Sequence, residues 1–303
     1  MMLKKPAAAV LAVSLLTAGA VWKAPSAEAA DQPITITINE QKAATDVQPY
    51  IKQGATMVPL SIVAKLPGVT ANWNNTSKTV TVKSEAGTVK LISGQGTATV
   101  NGKPVRLSVP SEMLQGRIMV PLRFVSEASG AGVAWNQSQR TAQVGKASAQ
   151  TVARLDAKSL ATGRNAALTL PRLSSLPRML SEVSTSGLVA NFYFPKGRSD
   201  LFFVRSSDVI SAYKVRGAAA FEVWNARLKL GQELKSGRPF PFLPYALVAQ
   251  NGEKPPVSGT FAAFSLVPSS GEVSYRLIAA NGDESGSGQQ KSDGAFVVEI
   301  PAE

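Results

Sequence analysis

Two segments of the chain show the same alternation of apolar and polar residues. The runs ITITIN (34–39) and TATVNG (97–102) alternate with a period of two and contain β-branched residues, which predicts a half-buried strand in each. Asn101-Gly102 is a strong signal for a two-residue hairpin turn after the second run, whereas Glu40 takes the place of the glycine after the first. The two runs mark equivalent points in segments that lie 62 residues apart.

A longer repeat follows these runs at the same offset. Residues 54–82 and 116–144 align without a gap, and 11 of their 29 positions are identical. About two identities would be expected from ordinary residue usage, so the chain contains an internal repeat. Its motif residues are Met57, Val58, Pro59, Leu60, Gly68 and Trp73 in the first copy, and Met119, Val120, Pro121, Leu122, Gly130 and Trp135 in the second.

The motif predicts one structural unit for each copy. Proline cannot donate to a β-ladder, so it ends the strand before it, and it fits the first turn of a following helix. Apolar residues at helical spacing after the proline predict an amphipathic helix of two turns, and Gly68 or Gly130 suits a left-handed cap at its end. Trp-Asn then opens a turn into a final strand. The predicted unit is β–β–helix–β–β, a small antiparallel sheet that closes over one short helix.

We interpret the motif residues as scaffold rather than as ligands, because strand ends, helix starts and core contacts account for each of them. Trp73 and Trp135 are interpreted as closing the core, in preference to the alternative that they form platforms for sugar rings.

The pattern Asn-Gly … Val-Pro-Leu-Arg-Phe-Val … Gly … Val-x-Trp-Asn … Thr-x-x-Val resembles a known family, the stalk domain named after the N-terminal domain of copper amine oxidases. That domain is widespread in secreted proteins of Gram-positive bacteria. The motif is fullest at 119–144 and weaker in the first copy, and the resemblance covers about 34–145. It implies an accessory module that is separate from any catalytic core.

The resemblance does not imply amine oxidase activity. Copper amine oxidases hold copper through histidine and derive a quinone cofactor from tyrosine, and this chain contains no histidine. It contains no cysteine either, which excludes thiolate catalysis and ordinary zinc or copper sites. A metal would need oxygen ligands alone, as calcium or magnesium does. We therefore expect no cofactor and no metal site.

The second half of the sequence has a different character. Residues 146–186 begin rich in Ala, Ser and Thr and are interpreted as a linker with short helices, one of them after Pro177. From 187 to 303, short β-like runs alternate with turn signals, which predicts a mainly β domain, either sandwich-like or a meander. The predicted fold class is therefore α+β: repeated sheet-plus-helix units of stalk type (30–145) are followed by the β domain.

The N-terminus predicts export. Two lysines precede an apolar run at 6–21, and the tripeptide Ala-Glu-Ala at 27–29 places small residues where a signal peptidase reads them. Residues 1–29 are predicted to be a signal peptide cleaved after Ala29; the alternative is an uncleaved anchor. No second apolar run is long enough to cross a membrane. A chain without cysteine fits a Gram-positive envelope, so we expect a secreted, envelope-associated protein.

The formal net charge is +12, and the basic residues are spread through both halves without a run of lysines or arginines. This excess predicts attraction to anionic cell-wall polymers; the alternative is a solvated basic surface that aids solubility. Another surface protein is a second kind of partner that the sequence leaves open. Export and the lack of a basic cluster disfavour nucleic acid.

Several residues of the second half invite a catalytic interpretation. Ser211 and Lys214 have the Ser-x-x-Lys spacing of penicillin-recognising enzymes, but the run 209–216 alternates like a strand and the companion motifs are missing. A glycosidase needs two carboxyl groups across a cleft, and the sequence does not bring its acidic residues together. The loop 281–284 lacks the regular acid spacing of a dedicated calcium site. The carboxylates considered are those of Asp200, Glu222, Glu233 and Glu253.

The segment RPFPFLPYAL (238–247) interleaves three prolines with Phe240, Phe242 and Tyr245. If exposed, this stiff aromatic strip would stack on sugar rings or dock a partner protein; if buried, it would seal the core, the alternative that we favour. We call these three aromatic residues the candidate binding strip.

These features predict an exported, non-catalytic envelope protein that acts as a stalk, binding or spacer module at the bacterial cell wall or surface. One alternative is a wall-associated hydrolase that uses carboxylates, or a Ser-Lys pair, in the second half. Another is an accessory subunit of a larger surface assembly. A cleft with convergent ionisable groups would favour the hydrolase, and an exposed apolar patch would favour the subunit.

Overall fold

A computed structural model describes residues 32–183, 190–267, 270–301 and 303. The predicted signal peptide lies outside these residues. We call 33–145 the repeat domain and 146–303 the C-terminal domain. None of the helices in the described part of the chain is long and apolar enough to span a membrane.

The repeat domain contains the same order of elements twice, at the spacing of 62 residues that the sequence shows. The first copy comprises β1 (Thr35–Ile38), β2 (Gln41–Lys42), β3 (Tyr50–Lys52), β4 (Ala55–Pro59), α1 (Leu60–Val63), β5 (Thr70–Asn74) and β6 (Thr79–Ser84). A further strand, β7 (Gly87–Ile92), joins the copies. The second copy comprises β8 (Thr97–Val100), β9 (Lys103–Arg106), β10 (Glu112–Leu114), β11 (Arg117–Pro121), α2 (Leu122–Ala128), β12 (Gly132–Asn136) and β13 (Thr141–Gly145).

The strands of the two copies are mixed in three sheets. The first sheet has the order β12-β13-β1-β2, the central sheet β10-β11-β4-β3, and the five-stranded sheet β5-β6-β7-β8-β9. The strand that starts copy one, β1, pairs in parallel with the strand that ends copy two, β13. The prediction of one self-contained antiparallel sheet per copy is therefore wrong. Each sheet contains strands from both copies. Strand β1 pairs with β13 in the first sheet, β4 pairs with β11 in the central sheet, and β7 pairs with both β6 and β8 in the five-stranded sheet.

The repeated motif pairs with itself in the central sheet. In the antiparallel β4–β11 pair, Val58 lies opposite Val120, and the methionine of each copy lies opposite the proline of the other. Val58 and Val120 are equivalent positions in the repeat, so a local two-fold axis passes between them. The motif occurs twice because each copy supplies one of the two paired strands at the middle of the central sheet, β4 and β11.

Buried side chains cover both faces of the central sheet. The valines and leucines of the motif join the main core of the repeat domain. The methionines lie on the opposite face, in a smaller cluster with Val47 and Val109. These positions are interior, as a scaffold role requires. The buried motif residues are Met57, Val58, Leu60, Met119, Val120 and Leu122.

The helices begin directly after the central strands. In each copy the proline is the N-cap residue with extended backbone: Pro59 has φ −57° and ψ 141°, and Pro121 has φ −68° and ψ 108°. The prediction that proline lies in the first helical turn is therefore wrong by one residue, because its ψ is still that of a strand. The predicted two turns are present in α2, whereas α1 is a single turn.

A glycine ends α2 in the left-handed conformation that the sequence predicts. Gly130 has φ +81°, and the N–H groups of Gly130 and Ala131 donate to the carbonyls of Glu127 and Ser126. This is the hydrogen-bond pattern of a Schellman motif. Gly68, with φ +66°, does not cap α1 directly but follows the turns after it.

The two hairpin turns of the repeat have the same backbone conformation despite their different residues. The φ angles are +51° and +80° at Asn101-Gly102, and +47° and +68° at Asn39-Glu40. Positive φ at both central residues is typical of a type I′ turn. The turn predicted at Asn101-Gly102 is confirmed, and Glu40 adopts the conformation that glycine adopts in the second copy.

The C-terminal domain is built on a single nine-stranded sheet. The elements are α3 (Ala149–Ala153), α4 (Leu160–Thr169), β14 (Arg172–Ser174), β15 (Asn191–Pro195), β16 (Leu201–Ser206), β17 (Val209–Arg216), β18 (Ala219–Leu228), β19 (Leu247–Gly252), β20 (Phe261–Val267), β21 (Glu272–Ile278) and β22 (Glu284–Lys291). The strand order is β14-β18-β17-β16-β15-β20-β21-β22, and β19 also pairs with β18. The chain is mostly β, but a sandwich of two sheets is wrong. The consecutive antiparallel strands β15 to β18 and β20 to β22 fit the meander alternative instead.

Both faces of this sheet are covered, which explains why a second sheet is not needed. Phe192 and Phe194 belong to the core on one face, and Tyr193 belongs to the core on the other. Helix α4 and residues 296–300 cover the first face, and residues 240–245 cover the second. Aromatic residues at consecutive strand positions therefore indicate burial on both sides, unlike the period-two alternation of a sandwich strand.

The segment interpreted as a linker contributes elements to the C-terminal domain. Helix α4 packs Leu168 into the core, and β14 pairs in parallel with β18. The residues 177–183, where a short helix is expected after Pro177, contain none. The Ala/Ser/Thr-rich composition of this segment reflects close helix packing rather than a free connection, since Ala161 and Ala167 are buried.

Candidate functional site

Two glycines let the C-terminal domain pack closely on the first sheet. Gly132 and Gly145 lie opposite each other in the β12–β13 pair. A Cβ atom at Gly132 would lie 2.8 Å from Phe221 and 3.0 Å from Ala219, and one at Gly145 would lie 3.0 Å from Pro171. Side chains do not tolerate such separations in a packed interior, so a larger residue would push the two domains apart.

Side chains of the repeat domain also form hydrogen bonds with the backbone groups at the outer edge of β14. Gln143 accepts a hydrogen bond from the Ser174 N–H at 2.9 Å and donates to the Ser174 carbonyl at 3.0 Å. Asn136 donates to the same carbonyl at 3.3 Å. The Glu40 carboxylate accepts the N–H of Arg172 at 2.9 Å. The sheet edge is thereby closed by side chains instead of a further strand.

The local two-fold relation identifies the equivalent surface in the other half of the repeat domain. Thr70 and Lys83 take the positions of the two glycines, and they too lie opposite each other. Ala134, which is buried against the C-terminal domain, corresponds to the exposed Asn72. The sheet face that contacts the C-terminal domain in one half is therefore polar and exposed in the other.

This exposed face of the five-stranded sheet carries threonine, asparagine and basic side chains. Every second residue of each strand lies on it, and the alternate residues of β5 to β8 pack in or against the main core. Thr81, Lys90 and Thr99 lie side by side across three strands. We call this surface the polar face. Its residues are Thr70, Asn72, Asn74, Thr79, Thr81, Lys83, Thr88, Lys90, Thr97, Thr99 and Arg106, together with the apolar Ile92 and Pro104.

The polar face has a positive charge without a local counterpart. The face carries three basic residues, Lys83, Lys90 and Arg106, and the five strands contain no acidic residue; Glu85 lies in the β6–β7 turn. Among the described residues, none of these three basic side chains forms an ion pair. Exposed charges act over about 8 Å at physiological ionic strength, and the hydroxyls between them donate and accept hydrogen bonds. Such a surface can bind an extended, hydroxyl-rich anion.

Sequence reasoning missed the polar face because its basic residues form no run. Lys83 and Lys90 are separated by seven positions, which looks like scattered surface charge. The signal was present in the alternation of 79–83 and 88–91, where lysine occupies polar positions of strand-like runs. The alternation does not show which strands are neighbours in the sheet, so it does not show that these lysines share a surface.

The candidate binding strip lies largely inside the protein. Phe240 and Phe242 are 3% and 5% exposed, and their rings stack at 5.3 Å. Phe242 also stacks on Tyr193 at 4.2 Å. An exposed aromatic strip is therefore wrong for these two residues, and the buried alternative is correct. Tyr245 is half-buried, and the guanidinium of Arg205 lies 4.9 Å over its ring.

The two tryptophans of the motif are half-buried and pack against the main core. The indole N–H of Trp135 donates to Gln137 Oε1 at 2.7 Å. Trp135 also lines an open groove of about 660 Å³ with Leu122 and Phe124. Both tryptophans therefore contribute to closing the core, and one of them retains an accessible side.

The residues considered for catalysis lie in different places, and each has its own partners. Ser211 and Lys214 lie in β17, where Ser211 is buried and Lys214 is exposed. The guanidinium of Arg198 donates to both carboxylate oxygens of Asp200, at 2.8 and 2.7 Å, and holds the pKa of Asp200 below its usual value. Glu222 accepts a hydrogen bond from the Ser174 hydroxyl.

The remaining acidic candidates occupy loops and turns. Glu233 lies 3.4 Å from the Tyr245 hydroxyl, and Glu253 follows β19. In the loop 281–284, Asn281 Nδ2 donates to Asp283 Oδ2 at 2.6 Å. Within the described ranges, no group of three or more acidic residues is placed to hold a metal ion.

Residues 37–144 match the family model of the copper amine oxidase N-terminal domain. The match covers less than half of the chain and coincides with the repeat domain from β1 to β13. No curated protein matches the sequence, and the C-terminal half is not recognised. The repeat domain of this chain is therefore similar to the copper amine oxidase N-terminal domain, which confirms the resemblance that its repeated motif indicates.

Proposed function

We propose that this protein is an exported, non-catalytic protein of the cell envelope, whose repeat domain binds anionic cell-wall polymers and supports the C-terminal domain as a stalk. The observation that carries the proposal is the polar face, a broad surface with basic and hydroxyl side chains and no acidic one. The extracellular location in this proposal follows from the signal-like segment at the N-terminus. Similarity to the copper amine oxidase N-terminal domain is consistent with an accessory module.

Teichoic-acid-type polymers suit the polar face because they repeat a phosphate charge along a flexible, hydroxyl-rich chain. Lysine and arginine bind phosphate oxygens through charge-assisted hydrogen bonds. A single exposed ion pair contributes about 0.2–1 kcal/mol, so binding depends on several contacts made together. It is therefore expected to weaken steeply as salt concentration rises.

The junction between the domains supports the stalk component of the proposal. The close contacts at Gly132 and Gly145 and the side-chain bonds to β14 attach the C-terminal domain to the first sheet. The polar face belongs to the five-stranded sheet. A polymer bound there leaves the contact surface of the C-terminal domain unchanged.

Sedimentation with cell-wall sacculi tests this function. Residues 30–303 contain the whole compact unit Pro33–Glu303, and they would be mixed with Gram-positive sacculi with and without teichoic acids, over a salt series. The test variant is Lys83→Gln/Lys90→Gln/Arg106→Gln on the polar face. The matched control is Lys214→Gln/Lys229→Gln/Lys291→Gln, three exposed lysines of the C-terminal domain with the same loss of charge.

We expect the unaltered protein and the control to sediment with complete sacculi at low salt, and the polar-face variant to remain in the supernatant. Removal of teichoic acids should have the same effect as the polar-face substitutions. Equal sedimentation of both variants would contradict the proposal. Release of soluble sugar or peptide fragments from the sacculi would favour the alternative, a wall-associated hydrolase.

A further inference from the structure

A cavity of about 390 Å³ lies on the face of the nine-stranded sheet that residues 240–245 cover. Its walls include three arginines, Arg205, Arg238 and Arg276, together with Tyr193. Ligand pockets in proteins usually have volumes of about 300–1,000 Å³. This cavity therefore has room for a ligand of monosaccharide size.

Strand register explains why these side chains converge. Tyr193 on β15 lies opposite Ala263 on β20, and Ala263 lies opposite Arg276 on β21. Arg205 on β16 lies opposite Asn191, two residues before Tyr193, so it shares the same face of the sheet. The small side chain of Ala263 leaves space between its longer neighbours.

Arg238 reaches the cavity from the covering loop. Its Nε donates to the Leu234 carbonyl at 3.1 Å, and Nη1 donates to the Pro241 carbonyl at 3.4 Å. Gly282, in the turn between β21 and β22, makes room for this guanidinium, because a Cβ atom there would lie 2.7 Å from Nη1. Backbone groups therefore fix the position of Arg238 without neutralising its charge.

The cavity carries more positive than negative charge. Arg276 Nε lies 2.9 Å from Glu284 Oε1, so this arginine is neutralised. In the residues that the structure describes, neither Arg205 nor Arg238 has a carboxylate within ion-pair distance. The other acidic residue of the wall, Glu233, is exposed. Two guanidinium groups are thus available to an incoming anion.

The tyrosines add a stacking surface and a hydroxyl donor. The guanidinium of Arg205 lies 4.9 Å over the ring of Tyr245, which restrains the arginine side chain. Burial raises the pKa of Tyr193, and the positive charges of Arg205 and Arg276 oppose that rise. The phenol is therefore protonated at neutral pH and able to donate a hydrogen bond.

We propose that this cavity is a binding site for a monosaccharide-sized ligand that carries a carboxylate or a phosphate group. Planar guanidinium groups pair with both oxyanions through parallel hydrogen bonds. Arg205 and Arg238 would bind the anionic group, and Tyr193 would donate to an oxygen of the same ligand. The site is separate from the polar face, and it does not depend on the function proposed for that surface.

Calorimetric titration of residues 30–303 tests the site. The probes are glucuronate, which carries a carboxylate, glucose 6-phosphate, which carries a phosphate, and glucose, which is neutral. The test variants are Arg205→Gln and Arg238→Gln. The control is Arg198→Gln, which removes the same charge from an exposed arginine outside the cavity. A thermal melt of each variant shows whether it is folded.

We expect saturable binding of at least one anionic probe and none of glucose. Each cavity variant should bind about tenfold more weakly or worse, because a charge-assisted hydrogen bond is lost, and Arg198→Gln should bind as the unaltered protein does. The polar-face triple variant should also bind normally, which separates this site from the proposed wall contact. Absence of saturable binding up to about 10 mM at low ionic strength, or equal binding by the folded cavity variants, would overturn the proposal.

Discussion

Tyr50 and Glu112 occupy equivalent positions in the two copies of the repeat, and the tyrosine hydroxyl donates a hydrogen bond of 2.5 Å to Glu112 Oε1. The local two-fold axis brings equivalent residues together, so identical residues here would place two phenols or two carboxylates against each other. The difference between the copies provides a donor and an acceptor instead. Lys52 adds an ion pair to the same carboxylate at 2.5 Å.

The substitution Glu112→Gln tests the contribution of this contact. Hydrogen bonds from Lys52 and Tyr50 hold the pKa of Glu112 below its ordinary value. A lowered folded-state pKa gives stability that is present above the unfolded-state pKa and is lost as pH falls through the folded-state value. We expect Glu112→Gln to lower the free energy of unfolding at pH 7 by about 0.5–1 kcal/mol, since the pair is partly exposed.

Urea denaturation at about pH 7 and pH 3 measures both the loss and its pH dependence. The difference between Glu112→Gln and the unaltered protein should shrink at the lower pH, because the Glu112 carboxylate takes up a proton as pH falls through its lowered pKa. Glu127→Gln is the matched control, because Glu127 pairs with Arg123 on the exposed surface of α2. A deficit of Glu112→Gln that is unchanged in acid would argue against a role of the carboxylate charge.

The glycine pair of the domain junction makes a second prediction. Gly132→Thr introduces the residue that the first copy has at this position, Thr70. Its Cβ atom would lie 2.8 Å from Phe221, so we expect a loss of about 1–3 kcal/mol in the free energy of unfolding from overpacking. The unfolding transition should also broaden or divide, because the two domains then lose stability separately.

Differential scanning calorimetry and limited proteolysis measure these effects. The reverse exchange, Thr70→Gly, is the control: it lies on an exposed strand and should cost about 0.5–1 kcal/mol without dividing the transition. If Gly132→Thr unfolds in one transition with unchanged stability, the contact at the junction is looser than the structure indicates.

The sequence predicted local structure in the repeat domain well, and it predicted sheet composition poorly. The strand before Pro121, the helix from Leu122 and the cap at Gly130 follow from chemistry within one stretch of chain. The pairing of Val58 with Val120, and of β1 with β13, joins residues that are distant in sequence. A repeat shows that two segments are alike, but it does not show that strands of one copy pair with strands of the other. The N–H and C=O groups at the edge of a strand can pair with any strand in a suitable register.

The candidate site was harder to predict for a related reason. Lys83, Lys90 and Arg106 belong to three different strands, β6, β7 and β9. They share one face because these strands belong to the same sheet, in the order β5-β6-β7-β8-β9. The arginines of the cavity are likewise contributed by two strands and a loop. Neither cluster is a motif, since neither is contiguous in the chain.

A third prediction concerns the turn between β6 and β7. Gly87 has φ +131°, and a Cβ atom there would lie 1.8 Å from Asn101 Oδ1. The Asn101 amide accepts the Thr88 N–H at 2.8 Å and donates to the Ala86 carbonyl at 3.2 Å. We expect Gly87→Ala to lower the free energy of unfolding by about 2–4 kcal/mol, through backbone strain and the loss of these hydrogen bonds.

Gly94→Ala is the control for the strain component, since Gly94 has φ +81° but no atom within 4 Å of the added Cβ. It should cost about 1 kcal/mol in urea denaturation. The equivalent asparagine of the first copy, Asn39, bonds in the same way to the backbone of Lys146, at 2.8 and 3.1 Å. Equal losses for the two glycine variants would mean that the asparagine contact contributes nothing.

A fourth prediction concerns a buried ion pair in the C-terminal domain. Arg164 on α4 and Glu303 form an ion pair whose side chains are 1% and 3% exposed. The guanidinium lies over the rings of Phe194 and Phe264, at 5.1 and 5.7 Å. Burial by itself would raise the pKa of Glu303, but hydrogen bonds from Arg164 and from the Gly197 N–H outweigh it and hold the pKa below its ordinary value.

Glu303→Gln leaves the charge of Arg164 buried without its partner, so we expect a loss of about 3–5 kcal/mol in the free energy of unfolding at pH 7. The double variant Arg164→Met/Glu303→Gln should recover most of that loss, because it leaves no unpaired charge in the interior. Since the folded-state pKa of Glu303 is lowered, its stabilising contribution is present above the unfolded-state pKa and disappears as pH falls through the folded-state value. Chemical denaturation of the three proteins across that range measures the coupling, and a double variant as unstable as Glu303→Gln would show that the helix needs the arginine for packing rather than for its charge.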